Sequence, residues 1–397
     1  MSFDIALSGI QAINEQLDSV SNNIANAGTY GFKSTRANFA AMYAGNQPTG
    51  TEIGSLTQSI GLNGGVLNTG RGLDAAINGR GFFISRDSQG AMNYSRVGIF
   101  NASKAGYLVD SAGRSVQGYA AVKGSSALGA LGDLKVPTGQ IPAVATTKMA
   151  YVGNLSSDWT VPANATFDPS DATSYNMSKL SVTYDSLGSQ HTVTQYFVKT
   201  AANQVSVKYV YDGAATAGAS AALAFNGLGQ LTTSPPTVTL SVPTANGSVT
   251  PIAVKLDYTG TTQFAGEAIT STNSADGYAS GTFTGVALSE DGSLLAQYSN
   301  GEKQSVGTLA LATFPNEDGL RPVNDTSWVA STVSGEPLLG TPGSGMAGPL
   351  TTGALEQSNV DITSELVGLM TSQRNYQANS KVISTESAML QSLMQAL

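Results

Sequence analysis

Apolar residues at both ends of the chain recur at helical spacing, and the long stretch between them does not follow that spacing. Near the start, apolar side chains follow one another at steps of three and four residues, which places them on one face of a helix. The members of this stripe are Ile10, Ile13, Leu17, Val20 and Ile24. They predict a first helix from about Asp4 to Ala27, which would be roughly 36 Å long at about 1.5 Å per residue.

A second apolar stripe, near the end of the chain, repeats every seven residues. Its members are Leu355, Ile362, Leu369, Tyr376, Ile383, Leu390 and Leu397, and Leu366 broadens it. It predicts a helix from about Asp361 to Ala396, which would be roughly 53 Å long at about 1.5 Å per residue. Such a helix either packs on the domain beside it or needs a partner helix, and its length favours a partner helix.

Three asparagines, Asn22, Asn23 and Asn26, lie near the end of the first predicted helix. Each of them is roughly 0.5 kcal/mol less favourable in a helix than Ala. They either begin to unwind the helix, or their amides bond to a neighbouring helix and specify its register. We predict an assembly interface that contains these asparagines, the first apolar stripe and six residues of the second helix. Those six are Ile362, Leu366, Leu369, Tyr376, Ile383 and Leu390.

Between the ends, from about Gly64 to Thr351, the chain alternates apolar and polar residues over short runs. Leu180, Val182 and Tyr184 form one such run, and Asp291-Gly292 and Asn300-Gly301 are typical hairpin turns between others. Many short strands at this spacing favour β-sandwiches or barrels. The predicted fold class is therefore α+β and mainly β, with nested, discontinuous β domains and terminal helices that form a coiled-coil-like inner domain.

Changes in composition suggest where the domains begin and end. Two stretches, 46–65 and 335–353, have few apolar residues and no clear period, and the segment from about 143 to 175 gains Thr, Asp and Pro. We expect a terminal helical domain, extended linkers, a β domain and an inserted outer β domain. The predicted ranges are 1–28 with 357–397 for the helices, 29–69 with 335–356 for the linkers, 70–147 with 284–334 for the β domain, and 148–283 for the insertion.

Charge and cysteine content exclude several classes of function. Charged residues make up only 12% of the 397 residues, and 19 basic against 27 acidic residues give a net charge of −8. Without a basic cluster, binding to nucleic acid or to an anionic membrane surface is not expected. The absence of Cys excludes disulfides and thiolate metal sites. No apolar run is long enough for a membrane helix, and the first residues lack the basic region of a secretory signal.

Residues that carry catalysis elsewhere have structural explanations here. His191 is the only His and lies in an alternating strand. Gly70 to Ala75 spells G-x-G-x-x-A, but another glycine turn follows within a few residues and leaves no room for the helix of a dinucleotide site. The carboxylates are scattered at turns, where Asp belongs for backbone reasons. We therefore predict no enzyme activity and no catalytic, cofactor-binding or metal site.

The two ends carry long motifs that resemble those of the flagellar rod and hook protein family. At the start they are Ser8-Gly9-Ile10, Leu17, Ser21 to Asn26, Thr29 and Gly31-Phe32-Lys33. At the end they are Gly353 to Asp361, Glu365-Leu366-Val367, Gln373-Arg374, Tyr376 and Ala378 to Ile383. Finding both motifs in one chain makes a coincidence negligible.

Internal motifs distinguish between members of this family. The segment Asn78 to Phe83 is similar to one in both rods and hooks. Three further segments look like hook proteins, namely Val182 to Gly188, Tyr298 to Gly301 and Ala312 to Phe314. Rod proteins are similar at the ends but much shorter. The resemblance is weak over about 150–175 and 212–280.

The resemblance implies a structural subunit of the bacterial flagellar hook, located outside the cell. Its terminal helices would form an inner tube around an axial export channel, and its β domains would form the outer wall of a curved homopolymer that transmits motor torque. The implied partners are other copies of the chain, the distal rod, the hook cap, the hook–filament junction proteins and the flagellar type III export apparatus. No cofactor is implied.

Two alternatives remain open from the sequence. A distal rod subunit would share the terminal motifs, although a large β insertion does not suit a stiff and compact rod. A secreted glycan-binding β protein would need a concave pocket with converging polar groups, and the heptad repeat of its terminal helix would then have no purpose.

Overall fold

Two helices at the ends of the chain enclose a long series of strands in the computed structural model, which describes residues 2–122, 127–232, 239–242, 247–249 and 252–396. Helix α1 spans Ser2–Ala25 and helix α2 spans Ile362–Ala396. Both predicted helices are confirmed, with ends within two residues of the expected ones. Helix α2 begins where the Asp361 carboxylate accepts the backbone N–H of Thr363 at 2.9 Å.

Short strands fill the first part of the chain after α1. They are β1 Thr35–Ala44, β2 Gln47–Gln58, β3 Val66–Asn68, β4 Ala75–Ile77, β5 Phe82–Arg86, β6 Met92–Ser95, β7 Asn101–Ala102, β8 Leu108–Val109, β9 Ser115–Ala121 and β10 Leu128–Asp133. Strand β1 pairs with β2 in an antiparallel hairpin, and β5 lies between β6 and β9.

The remaining strands fall into a middle group and a late group. The middle group is β11 Lys148–Asn154, β12 Met177–Tyr184, β13 Gln190–Ala201, β14 Gln204–Tyr211, β15 Ala214–Ala224, β16 Thr239–Val242, β17 Ile252–Asp257 and β18 Ile269–Ala275. The late group is β19 Phe283–Leu288, β20 Ser293–Tyr298, β21 Lys303–Leu309, β22 Leu311–Thr313, β23 Arg321–Val323, β24 Ser327–Val329, β25 Leu338–Gly340, β26 Leu350–Thr352 and β27 Ala354–Glu356. Short 3₁₀ turns span Ala172–Ser174 and Glu317–Gly319.

The chain divides into two compact units, and the first contains both of its ends. This first unit comprises Met1–Thr138, Gly285–Ala296 and Lys303–Leu397. Among the described residues, its sheet includes β21, β9, β5, β6, β24 and β23 in that order. Phe82, Phe314 and Trp328 pack edge to face inside it, with ring centres 5.9 and 5.7 Å from that of Phe82. Near the helices, β27 pairs with β3 and β26 pairs with β4.

The second unit comprises Gly139–Thr284 and Gln297–Glu302. In its described part, β16, β17, β11 and β18 form one sheet, and β12, β13, β14 and β15 form another. Strands β11 and β17 run parallel, whereas the other ladder pairs in these two sheets are antiparallel. Tyr151, Phe197 and Tyr258 belong to the apolar cluster of this unit. The chain enters and leaves the unit side by side, because Ile141 and Gly281 exchange backbone hydrogen bonds of 2.9 and 3.2 Å.

The segments that we expected to be extended linkers are built into the first unit, so that expectation was wrong. The first of them contains the β1–β2 hairpin, and Ile60 beyond it is buried in the core with Trp328. The second contains β25, which pairs with β22. Few apolar residues mark these segments because their strands are held by backbone hydrogen bonds, which any residue except Pro can donate.

A chain of buried hydroxyl and amide groups crosses the interior of the second unit. The hydroxyls of Tyr209 and Tyr258 lie 2.8 Å apart, and the Tyr258 hydroxyl donates to Gln195 Oε1 at 2.6 Å. Burial raises the pKa of Tyr258, so this hydroxyl keeps its proton at neutral pH and remains a donor. The side-chain amide of Gln195 continues the chain by donating to Ser181 Oγ at 3.2 Å.

We expect Tyr258→Phe to destabilise the second unit by about 1–3 kcal/mol, because it leaves buried polar atoms of Gln195 and Tyr209 without this partner. Thermal unfolding monitored by circular dichroism would measure the loss. Tyr43→Phe is the matched control, since that ring is exposed on the β1–β2 hairpin and should not change the melting temperature. Equal melting of both variants and wild type would contradict the prediction.

Candidate assembly interface

Helices α1 and α2 pack against each other in antiparallel orientation. A Cβ atom added to Gly9 of α1 would lie 2.9 Å from Asn379 Nδ2 of α2. Further along α1, Asn23 Nδ2 donates to Glu365 Oε1 of α2 at 2.8 Å. Going from Gly9 to Asn23 along α1 thus corresponds to going from Asn379 back to Glu365 along α2. By the same offset Ser2, where α1 begins, lies level with Glu386, and the last turns of α2 extend past the start of α1.

The β1–β2 hairpin supports α1. Ser8 Oγ accepts the backbone N–H of Thr51 at 3.2 Å, and Ser19 Oγ donates to the carbonyl of Thr35 at 3.0 Å. Gly50 has a φ of +133°, and a Cβ there would fall only 2.0 Å from Ser8 Oγ. Only glycine therefore allows the hairpin to approach the helix this closely at that point.

The three asparagines divide between the two roles that the sequence left open. Asn23 is 1% exposed, and its amide bonds both the N–H and the carbonyl of Thr35, at 2.9 and 2.8 Å, as well as Glu365 of α2. Asn26 instead bonds back to Asn22 within the last turn, at 2.9 Å between the two side chains. Asn23 therefore joins the helices, whereas Asn22 and Asn26 belong to the end of α1.

The predicted apolar residues of α1 are largely covered within the chain. Ile13 and Val20 are buried, and Ile10, Leu17 and Ile24 are partly buried. The buried side of this helix also includes Ala6 and Ala12. Small residues at the contact allow two helices to approach closely, which is consistent with the short distance between Gly9 and Asn379.

The predicted apolar residues of α2 are mostly exposed, which the sequence did not reveal. Ile362, Leu366 and Leu390 are 51%, 48% and 57% exposed. Tyr376 is also exposed, and Leu369 and Ile383 are partly buried. These six residues and the predicted residues of α1 remain a predicted assembly interface. The support for it comes from α2, because one chain on its own leaves four of these six residues exposed.

Polar residues of α2 also lie at its contact with α1. Glu365 and Asn379 contact α1 directly, and Ser372, which lies halfway between them, is buried. These three residues repeat every seven positions, in parallel with the apolar repeat. That second, polar repeat is the signal that could have identified the contact side from the sequence.

The end of α2 carries further apolar residues without cover from α1. Met389, Leu393 and Met394 are all exposed, and they lie beyond the level of Ser2. Over the described residues, neither helix is long and apolar enough to cross a membrane. An exposed apolar stripe of this length is typical of a surface that binds another protein. The arrangement is therefore suited to joining copies of the chain through α2.

His191, the one candidate for catalysis in the sequence, lies on β13 between two carboxylates. Its Nδ1 is 2.7 Å from Asp212 Oδ2, its Nε2 is 3.4 Å from Asp185 Oδ2, and its ring stacks on Tyr211. Burial raises the pKa of Asp212, but hydrogen bonds from Thr192 and His191 outweigh that effect and lower it. Because opposite ring nitrogens face different carboxylates, the three groups do not converge on one point, as metal ligands would.

The other candidate motif is a turn. Gly70 has a φ of +68°, and the chain passes from this motif directly into β4, so no helix follows to bind a dinucleotide. Within the described part of the chain, no group of three or more His, Cys, Asp or Glu side chains is placed to hold a metal ion.

Four family models match the chain in succession. They are described as Flagella basal body rod protein (residues 3–33), Flagellar hook protein FlgE/F/G D1 domain (76–167), Flagellar basal body protein FlaE D2 domain (154–278) and Flagellar basal body rod FlgEFG protein C-terminal (351–396). The matches cover both helices and most of the strands between them.

Several proteins named Flagellar hook protein FlgE are similar over the full length. The one from Salmonella typhimurium is 40% identical over 405 residues, covering 99% of each chain. The one from Escherichia coli is 37% identical over 407 residues, again covering 99% of each chain. The crystal structure of Helicobacter pylori flagellar hook protein FlgE2 matches with a TM-score of 0.51 and 14% identity, over 73% of this chain and 100% of that chain. It supports the fold.

We expect Asn23→Ala to loosen the contact between α1 and α2, since it removes three hydrogen bonds, two to the backbone of Thr35 and one to Glu365. A loss of about 1–3 kcal/mol corresponds to roughly tenfold to hundredfold faster hydrogen exchange of the α1 amides. Asn22→Ala is the control, because Asn22 is exposed and bonds only within the last turn. Equal exchange in the two variants would show that Asn23 does not join the helices.

Proposed function

This chain belongs to the flagellar hook protein family, as a structural subunit, and we propose that its copies polymerise through α2 into a curved tube that transmits motor torque to the filament. The observation that carries this proposal is the apolar stripe of α2, which α1 leaves mostly exposed. Burying one Leu or Ile side chain contributes about 1.5–3 kcal/mol. Several such residues per chain supply enough free energy to drive assembly.

The proposed tube has the paired helices on its inside, around an axial channel, and the β units on its outside. Only 12% of the residues are charged. Contacts between outer surfaces rich in Ser, Thr and Asn would therefore be hydrogen bonds worth about 1 kcal/mol each, which exchange readily as the tube bends. Full-length similarity to hook proteins removes the reason for the glycan-binding alternative.

The remaining partners belong to the same proposal. A hook subunit would leave the cell through the flagellar type III export apparatus, join the distal rod at one end of the hook and meet the hook cap and the junction proteins at the other. In this role the chain binds other proteins and catalyses no reaction.

We expect Leu390→Asp to abolish polymerisation, because the tube would have to desolvate a carboxylate at an apolar contact, at several kcal/mol. The change lies beyond the contact with α1, so the monomer should keep its melting behaviour. Sedimentation at rising protein concentration, with negative-stain microscopy, would measure assembly.

Gln391→Asp is the matched control for this experiment, since Gln391 is an exposed polar residue of α2 and the change adds the same charge one position along the helix, on a different side. This variant should still assemble. Normal tubes from Leu390→Asp would exclude this part of α2 from the interface. Straight tubes from the wild-type chain would favour the distal rod alternative over a hook.

We expect a chain without residues 142–280 to polymerise into straighter tubes than wild type. Ile141 and Gly281 already form a ladder pair, so a two-residue Asn-Gly turn can join them without displacing either strand. The helices and the sheet of the first unit remain intact, whereas the surface that we expect to favour one curvature is removed.

Electron microscopy would measure curvature for this deletion, and sedimentation would measure assembly. Unchanged curvature would show that the remaining parts of the subunit set the shape. Failure to assemble, with the first unit still folded, would show that the second unit contributes to the polymer interface itself.

A further inference from the structure

Arg96, at the end of β6, is buried with every one of its N–H groups bonded. It is 2% exposed. The guanidinium has five N–H donors and no acceptor. Its five acceptors come from three parts of the chain. They are Glu356 Oε2 at 2.7 Å, the carbonyls of Gly79, Gly81 and Ile77 at 2.9, 2.6 and 3.2 Å, and Asn63 Oδ1 at 2.8 Å. No other type of side chain can satisfy five acceptors in this fixed, planar geometry.

Glu356, at the end of β27, lies between Arg96 and a second buried cation. Lys33 Nζ is 2.7 Å from Glu356 Oε1 and also donates to the carbonyl of Leu62 at 2.5 Å. Burial lowers the pKa of Lys33, and the nearby Glu356 carboxylate opposes that shift. Glu356 Oε1 accepts the backbone N–H of Gly64 as well, at 3.1 Å.

The three charged residues stand where the chain passes between the helices and the sheet of the first unit. Lys33 follows α1, Asn63 and Gly64 follow the hairpin, and Glu356 precedes α2. Asn359 adds neutral bonds at the same place, accepting the N–H of Ser34 at 2.7 Å and donating to the carbonyl of Ser59 at 2.9 Å. All three connections between helices and sheet are therefore fixed to one another.

We propose that Arg96, Glu356 and Lys33, which we call the joint cluster, hold the direction in which the terminal helices leave the β sheet and carry force between helices and sheet in each subunit. The part of this proposal that concerns force rests on the proposed hook function, whereas the part that concerns the direction of the helices does not. Arg96 acts as a positioning residue, because its hydrogen bonds go to Glu356, Asn63 and the carbonyls of residues 77–81, and it works on the helices through Glu356 and Asn63.

A joint of this kind is stiff for an electrostatic reason. Moving Glu356 away from Arg96 and Lys33 would leave buried charges without partners, which is far less favourable than moving exposed groups that water can solvate. Bending of a hook would then take place at contacts between subunits and not at this joint.

The test compares Arg96→Lys with Arg86→Lys in the full-length chain. Lysine keeps the positive charge of Arg96 but cannot reach the five acceptors together. Arg86 is the matched control, because it lies on the neighbouring strand β5 and pairs with Asp133 at the surface, with 43% of its side chain exposed. The measurements are the melting temperature of the sheet, hydrogen exchange at the joint and the bending stiffness of assembled tubes seen by electron microscopy.

For Arg96→Lys we expect exchange at the amides of Gly31, Gly64 and Gln357 to be about tenfold faster or more. These amides bond across the joint. Gly31 N–H donates to the Glu356 carbonyl at 2.8 Å, Gly64 N–H donates to the Glu356 carboxylate at 3.1 Å, and Gln357 N–H donates to the Gly65 carbonyl at 2.7 Å. The tubes should bend more easily or fail to form. Arg96→Lys should also melt at a lower temperature than Arg86→Lys, because buried acceptors lose their donors, by about 2–4 °C for each kcal/mol lost in a unit of this size.

The possible results separate the two proposals. Unchanged exchange at the three amides in Arg96→Lys would overturn the joint, and so would exchange that rises equally at all amides of the sheet, which would make Arg96 a stabiliser of the sheet and nothing more. Faster exchange confined to the joint, with softer or absent tubes, would support it. If the wild-type chain forms no tubes at all, the hook proposal fails, and hydrogen exchange still decides whether Arg96 positions the helices.

Discussion

The pairing of the beginning of the chain with its end is the interaction on which the rest of the structure depends. Helix α1 finds its partner in α2, β3 pairs with β27, β4 pairs with β26, and Lys33 meets Glu356. Each of these contacts joins residues that are about 300 positions apart or nearly so. The residues between these contacts form a long loop whose two ends are fixed at one place. A second unit can be inserted into this loop without changing the contact between the helices.

As a result of that pairing, two groups of residues on α2 have different roles. Glu365 and Asn379 contact α1 within the chain and Ser372 is buried, whereas Ile362 and Leu366 remain exposed. A polar contact inside the subunit leaves the apolar residues available, and apolar burial is the larger source of free energy for association. This arrangement explains why a hook subunit can fold as one molecule and still expose apolar residues whose burial favours assembly.

The sequence was sufficient to predict what periodicity and turn chemistry control. The seven-residue repeat predicted α2, and Asp291-Gly292 and Asn300-Gly301 predicted the hairpins of β19, β20 and β21. The sequence was not sufficient to predict which side of a strand or helix is buried when residues on both sides follow a regular pattern. On β12, Ser181 and Thr183 are buried while Leu180 is exposed, and Ser181 belongs to a buried hydrogen-bond network with Gln195 and Asn273. The same ambiguity concealed the polar contact side of α2, and the expected linkers were missed because backbone pairing leaves little trace in composition.

The separation of Asn23 from Glu365 by 342 residues also determines the order of events in time. Any process that delivers the chain with its amino end first, whether synthesis or passage through a narrow channel, presents α1 long before α2. Until the last residues arrive, α1 has no partner and Lys33 has no counterion, and so neither the helix pair nor the joint cluster can form early. Contacts between distant parts of a chain form slowly even when the whole chain is free. The pairing of the two ends is thus the last part of the fold to complete.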